Sequence, residues 1–267
     1  GIDNWEESLK TFKNNHKNSE VLCADLSKIK PQEINGRFDV IIGGPPCQGF
    51  SISGKRNPND PRNKLYQSFV SFVEYFKPKA FIMENVPNLV AMNNGKVKDQ
   101  IIKEFEALGY KVVYKILLAS DFGVPQNRKR VVFVGLQNGK SFTFPEGKYN
   151  DNKITAFEAI SDLPENEVKD GTMYPHSPKS EYQKMIRENS AKIFNHETTK
   201  HTEKTAGIIS LVPDGGNYKD LPKNLQNTRK VNIAWTRLNS KKPSFTIDTG
   251  HNHHFHYKFN RVPTVRE

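Results

Sequence analysis

Cysteine is scarce in this chain. Cys23 and Cys47 are the only two among 267 residues, too few for the multi-bridge framework that braces small secreted domains, so a reducing, cytoplasmic setting is expected. Long apolar runs are lacking as well. No stretch approaches the roughly 18 consecutive apolar residues of a membrane helix, no apolar signal segment opens the sequence, and mean hydropathy is -0.70. A soluble protein without a membrane partner is expected. Internal repeats and long low-complexity tracts are absent. Four histidines cluster at His251, His253, His254 and His256, but their spacing matches no standard zinc pattern and no cysteine lies nearby, so no metal site is expected.

What the chain has in excess is positive charge. Forty Lys and Arg face 29 Asp and Glu, a net charge of +11. Such a balance serves solubility, or it serves a polyanionic partner, most simply nucleic acid. The excess is spread along the chain rather than gathered in a tail.

The first 137 residues alternate between two periodicities. Strands are expected at Val21 to Ala24, Phe38 to Ile42, Lys79 to Met83, Val112 to Leu118 and Val131 to Leu136. Helices are expected at Trp5 to Asn15, Leu65 to Phe76 and Lys98 to Leu108, the last closed by Gly109. Strands alternating with helices of about 10–12 residues imply βαβ units, hence a doubly wound α/β domain with a mostly parallel sheet. From residue 138 to 258 the sequence is richer in Asn, Lys, Pro and Gly and its periodicity weakens. A second, smaller and more irregular domain is expected there.

In an open parallel sheet, ligands gather beyond the carboxyl ends of the strands. Asp25 follows one expected strand, Pro45-Pro46-Cys47 a second and Glu84-Asn85 a third, while Gln126, Arg128 and Arg130 lie just before the Val131 strand. A thiol, a carboxylate and guanidinium groups would then share one rim. A thiolate is a strong nucleophile, and nearby cations favour it. Glu84 makes sense there as a partner of the substrate, holding a proton against a ring nitrogen so that an electron-poor heterocycle accepts the thiolate. The competing reading of a lone cysteine, a small buried hydrophobe, is kept for Cys23.

These motifs resemble those of the cytosine-C5 DNA methyltransferases of bacterial restriction-modification systems. The resemblance rests on Gly44-Pro45-Pro46-Cys47-Gln48-Gly49-Phe50-Ser51, Asp60-Pro61-Arg62-Asn63-Lys64-Leu65, Glu84-Asn85-Val86, Asp121-Phe122-Gly123-Val124-Pro125, Gln126-Asn127-Arg128-Lys129-Arg130 and Arg261-Val262-Pro263-Thr264-Val265-Arg266-Glu267, in that order. It implies the Rossmann-like fold of S-adenosylmethionine-dependent methyltransferases: a catalytic domain over 1–137, a target recognition domain over 138–258, and a return to the catalytic domain at 259–267. It also implies that a cytosine leaves the duplex, that Cys47 attacks its carbon 6, that Glu84 holds ring nitrogen N3, and that Arg128 and Arg130 position the flipped nucleotide.

By the same resemblance Asp3, Asn4, Trp5, Asp25, Leu26 and Pro45 would bind S-adenosylmethionine. Trp5 alternatively packs on its helix, and Asp25 alternatively N-caps a helix over Lys28 to Glu33. Gln48, Ser51, Gln126, Arg229 and Arg237 are candidates for contact with double-stranded DNA, since base edges are read by Arg, Lys, Asn and Gln. Trp235, beside Arg237, is better read as a core anchor of the small domain. The family's Phe-x-Gly-x-Gly loop and its Gly-Asn-x-Val helix have no match here, so the chain is expected to be truncated at both ends or completed by a second polypeptide; a monomer is otherwise expected. Two alternatives stay open: a tRNA cytosine-C5 methyltransferase, and a catalytically incomplete subunit or DNA-binding relative.

Overall fold

A computed structural model describes residues 1–46, 63–226, 235–247 and 254–267. The first elements in chain order are β1 (Ile2–Asp3), α1 (Glu6–Asn15), β2 (Leu22–Cys23), β3 (Val40–Gly43), α2 (Asn63–Phe76), β4 (Ala80–Asn85), α3 (Lys96–Ala107), β5 (Tyr110–Leu118), β6 (Gln126–Asn127) and β7 (Lys129–Gln137). They are followed by α4 (Ala156–Ile160), β8 (Thr172–Met173), α5 (Glu181–Arg187), β9 (Lys192–Ile193), α6 (Glu203–Ser210), β10 (Thr236–Arg237), β11 (Ser244–Phe245) and β12 (His254–Phe255). Contacts divide the chain into two compact units, residues 1–117 with 129–145 and residues 118–128 with 146–267.

The first unit is built on a four-stranded sheet in the order β3-β4-β7-β5, beside a two-stranded sheet of β1 and β2. Parallel pairing joins β1 to β2 and β3 to β4. The exception is β7, which runs antiparallel to β4, with Glu84 opposite Val132 and Asn85 opposite Val131. Side chains alternate across β4, so Phe81 and Met83 are fully buried against the helices while Ile82 and Glu84 face the other way. The helices supply matching stripes: Tyr66, Phe69 and Val73 of α2 and Val97, Ile101 and Phe105 of α3 close one core with Val131 and Phe133 of β7. Spacings of three and four residues put each set on one helix face. Phe81 stacks on Phe105 with ring centroids 4.0 Å apart. Gly135 allows this, because a Cβ there would stand 2.0 Å from the Phe81 ring. After α3, Gly109 takes a left-handed φ of 88° and closes the helix as only glycine does without strain.

The second unit has short elements. Two-residue ladders join β6 to β11 and β10 to β12 in parallel and β8 to β9 antiparallel. Its helices are short and capped by side chains, by Thr155 for α4, Ser180 for α5 and Thr202 for α6. Ile208, Ile209, Val212, Leu221, Trp235, Phe255 and Val262 form its apolar cluster. Trp235, with its ring edge-on to Phe255 at 5.4 Å, is the core anchor expected from the sequence.

Candidate active site

β4 carries one acidic side chain, Glu84, directly before its last residue. Because β7 runs antiparallel to β4, the start of β7 lies at the end of β4. Arg130, the second residue of β7, is two places from Val132, which is Glu84's cross-strand partner. A spacing of two keeps it on the face of Glu84. The Arg130 Nε stands 2.7 Å from Glu84 Oε1, with the two side chains 24% and 46% exposed. This is a charge-assisted contact that aims the carboxylate while leaving it open to a ligand.

The next residue, Asn85, points to the opposite face and is buried. Its Nδ2 donates to the carbonyl of Pro45 at 2.8 Å, and its Oδ1 accepts from the Val86 N–H at 2.9 Å. The loop leaving β3 is thereby fastened to the end of β4. Gly44 lies close enough that a Cβ there would stand 3.2 Å from Glu84 Oε2. Two neighbouring parallel strands therefore present Pro45-Pro46 and Glu84-Asn85 side by side. The sequence reading did not assign Asn85 a role. The signal available was an amide side chain directly after a strand-end carboxylate.

Beside this rim lies a cavity of about 480 Å³ whose walls include Asp3, Asn4, Asp25, Leu26 and Pro45, five of the six residues expected around a cofactor. Phe69 and Phe72 add apolar surface. Its size falls within the roughly 300–1,000 Å³ typical of small-molecule sites. Asp3 Oδ1 accepts from the Trp5 N–H at 2.9 Å. Asp25 Oδ1 accepts from both the N–H and Oγ of Ser27; these bonds, with Lys28 nearby, hold its carboxyl below the ordinary carboxylate value. Asp25 therefore closes a local turn onto Ser27 rather than capping a helix over Lys28 to Glu33, where only Pro31–Glu33 is helical behind an N-cap at Lys30, and it also faces the cavity. Trp5 is not among the cavity walls: the residue is 66% exposed at the N-cap of α1, and its backbone N–H is turned toward Asp3.

The sequence pattern of the C-5 cytosine-specific DNA methylases matches residues 1–267. The chain belongs to that family. It is 39% identical over 265 residues to the Type II methyltransferase M1.HphI of Haemophilus parahaemolyticus, covering 96% of this chain and 66% of that protein. It is 39% identical over 231 residues to the Type II methyltransferase M.DdeI of Desulfomicrobium norvegicum, covering 81% of this chain and 55% of that one. The chain thus spans about half to two thirds of the length of these relatives. A prophage-encoded Escherichia coli protein, described as a DNA modification methyltransferase, superimposes with a TM-score of 0.75 at 21% identity, covering 98% of this chain and 78% of that one. That likeness establishes the fold, the mixed α/β architecture of the methyltransferases.

Among the remaining residues that the chain was expected to use, Cys47, Gln48, Ser51 and Arg229 lie outside the described residues. Gln126 and Arg128 belong to the second compact unit and Arg130 to the first. Arg237 is a correction. It is 4% exposed, and its guanidinium donates to the carbonyls of Ile209, Val212, His256 and Phe259 and to Asn260 Oδ1. Burial pulls it below the ordinary arginine value, against the attraction of Asp214. Two of those carbonyls close the end of α6, where a helix needs donors and favours a cation. Arg237 holds the small domain together and has no donor to spare for a base.

The closing motif is likewise structural. Arg261 makes a two-pronged contact with Glu267, Nη1 to Oε2 at 2.7 Å and Nη2 to Oε1 at 2.8 Å, and Thr264 N–H donates to the same carboxylate at 2.8 Å. His256 Nε2 stands 3.7 Å from Glu267 Oε1.

Proposed function

We propose that the protein transfers a methyl group from S-adenosylmethionine to carbon 5 of a cytosine turned out of duplex DNA, as the modification enzyme of a restriction system. The observation that supports this most is the joint rim of β3 and β4. Arg130 orients Glu84, and Asn85 fixes the loop that leads from Pro45-Pro46 directly into Cys47.

In this reading the Cys47 thiolate adds to carbon 6 of the cytosine. Glu84 holds and protonates N3, so that the electron pair of the 5,6-double bond accumulates at carbon 5. Arg128 and Arg130 steady the nucleotide. The bound cofactor supplies an electrophilic methyl group. Loss of the carbon-5 proton to a base and expulsion of Cys47 from carbon 6 then restore the ring and the free thiolate.

The cavity fits the cofactor chemically. The carboxylates of Asp3 and Asp25 are acceptors suited to ribose hydroxyls and an adenine amino group, and Leu26, Phe69 and Phe72 suit a flat apolar ring. β1 and β3 both border this cavity yet belong to different sheets. The proposal therefore includes further wall supplied between them by chain outside this sequence or by a second polypeptide. The segment 138–258 is proposed as the target recognition domain. No helix among the described residues is long and apolar enough to cross a membrane. A cytoplasmic, monomeric protein is proposed.

The test is incubation of the full-length enzyme with cofactor and duplex DNA carrying 5-fluorocytosine. A covalent complex that resists denaturation is expected, and Cys47→Ala is expected to abolish it. Bisulfite sequencing of ordinary DNA is expected to show one methylated context. Absence of the adduct and of methylated DNA sinks the proposal in favour of an inactive DNA-binding relative. Methylation of tRNA alone redirects it to RNA.

A further inference from the structure

The segment that carries Gln126, Asn127 and Arg128 is unusually tied down for a connection between two strands. Its neck is closed where the Ala119 N–H donates to the Arg128 carbonyl at 2.9 Å. Inside the loop, Ser120 is fully buried and its Oγ donates to Asn127 Oδ1 at 2.8 Å. Two distant stretches of the second unit then grip it. On one side the Tyr149 N–H donates to the Asp121 carbonyl at 3.0 Å, and Lys153 Nζ pairs with Asp121 Oδ1 at 3.0 Å with both side chains 29% exposed. The Tyr149 ring covers Gly123, whose φ is +86° and whose Cβ would meet that ring at 2.8 Å. On the other side the Ser244 N–H donates to the Pro125 carbonyl at 2.9 Å, and β11 pairs with β6, Ser244 beside Gln126 and Phe245 beside Asn127.

We infer that Lys153 and Ser244 are positioning residues for Arg128. The inference rests on the proposed role of Arg128 in steadying the flipped nucleotide. An arginine on a free loop spends rotamer and backbone entropy to reach its ligand. One held at its neck and along both flanks is placed before substrate arrives, and misplacement by about 1 Å is enough to cost two orders of magnitude in rate. The grips come from Tyr149, Lys153 and Ser244, far downstream of the loop they hold and within the segment proposed to recognise the target. The placement of Arg128 is thereby a property of that segment's fold.

The experiment is a double-mutant cycle in the full-length enzyme. Lys153→Met removes the ion pair, Lys153→Arg keeps it, and Ser244→Pro removes the backbone donor to Pro125. Each is combined with Arg128→Ala. Methylation kcat and KM are measured, together with thermal unfolding to show which variants are folded. Lys153→Met is expected to lower kcat about tenfold with KM little changed, Lys153→Arg to restore it, and both Lys153→Met and Ser244→Pro to have no further effect once Arg128 is alanine. If the losses multiply in the Arg128→Ala background, or if Lys153→Met is folded and leaves kcat intact, the positioning role is wrong. If Arg128→Ala itself leaves kcat unchanged, the proposed role of Arg128 is what fails.

Discussion

Arg237 and Glu84 are both charged side chains that chemistry-based reading marks as candidates, and their surroundings assign them opposite work. Glu84 has one cationic partner among the described residues and an open side. Arg237 has five acceptors around a guanidinium that is almost wholly buried. Replacing it with methionine leaves those carbonyls unanswered in the interior, at about 1–3 kcal/mol for each acceptor that no water reaches. Arg237→Met is expected to lower the unfolding free energy by about 3 kcal/mol or more in urea titration, without changing which DNA sequence is methylated.

His256 carries a pH dependence of its own. Its Nδ1 accepts from the N–H groups of Lys258 and Phe259, so only the neutral ring suits its place. Burial pushes its pKa down from 6.5 to about 4, against the pull of Glu267, with Arg261, Arg237 and Lys258 adding to the depression. The unfolded chain takes up this proton near pH 6.5 and the folded one only near 4. Stability from this group is whole above pH 6.5 and drains away as pH falls to 4, by at most about 3 kcal/mol. Burial raises Glu267, but the hydrogen bonds and charge of Arg261 with the pull of His256 outweigh it and leave it below 4.5. Its contribution is lost only below that value. Urea midpoints at pH 7, 5.5 and 4.5 are expected to fall in that order, and His256→Asn is expected to flatten the decline above pH 4.5.

At the scale of elements, the packing of β4 between β3, β7 and the helices sets the site. β4 brings Phe81 to the core, Glu84 to the rim and Asn85 to the β3 loop by strict alternation. Gly135 on β7 is the space into which Phe81 fits. Gly135→Ala is expected to cost about 1–3 kcal/mol or more, seen as a lower melting temperature, because the ring has Phe105 stacked behind it. Asn85→Ala is expected to leave DNA binding nearly intact while slowing methyl transfer at least tenfold in single-turnover assays, since the loop leading to Cys47 loses its anchor at Pro45.

These elements show why part of the site was legible in advance. The strands ending at Cys23, Gly43 and Asn85 and the stripes of α2 and α3 follow from periodicity, which is a local property. Arg130 was marked as a strand-end cation, but its pairing with Glu84 depends on β7 running antiparallel to β4. Trp5 is assigned to the cofactor by resemblance alone, and at the N-cap of α1 the residue is 66% exposed.

For the whole molecule, the excess of 40 basic over 29 acidic residues, if it serves the proposed DNA partner, makes that affinity counterion-dominated. Binding to duplex of unrelated sequence, followed by fluorescence anisotropy, is expected to weaken at least tenfold between 50 and 200 mM salt, with a log–log slope that reports the number of phosphates neutralised. A flat salt response would show that the charge serves solubility alone.

The amino-acid sequence by itself determined the alternation of strands and helices, the strand-end motifs and the family, because hydrophobic period and short-range motif order are carried by neighbouring residues. Tertiary structure alone decided that Arg237 is a brace rather than a reader, that Asn85 ties two strand ends together, and that the loop bearing Arg128 is held from residues 153 and 244. Each of those facts depends on which distant groups share a buried volume, and the cost of leaving a buried donor or acceptor unanswered is settled only when the chain has closed around it.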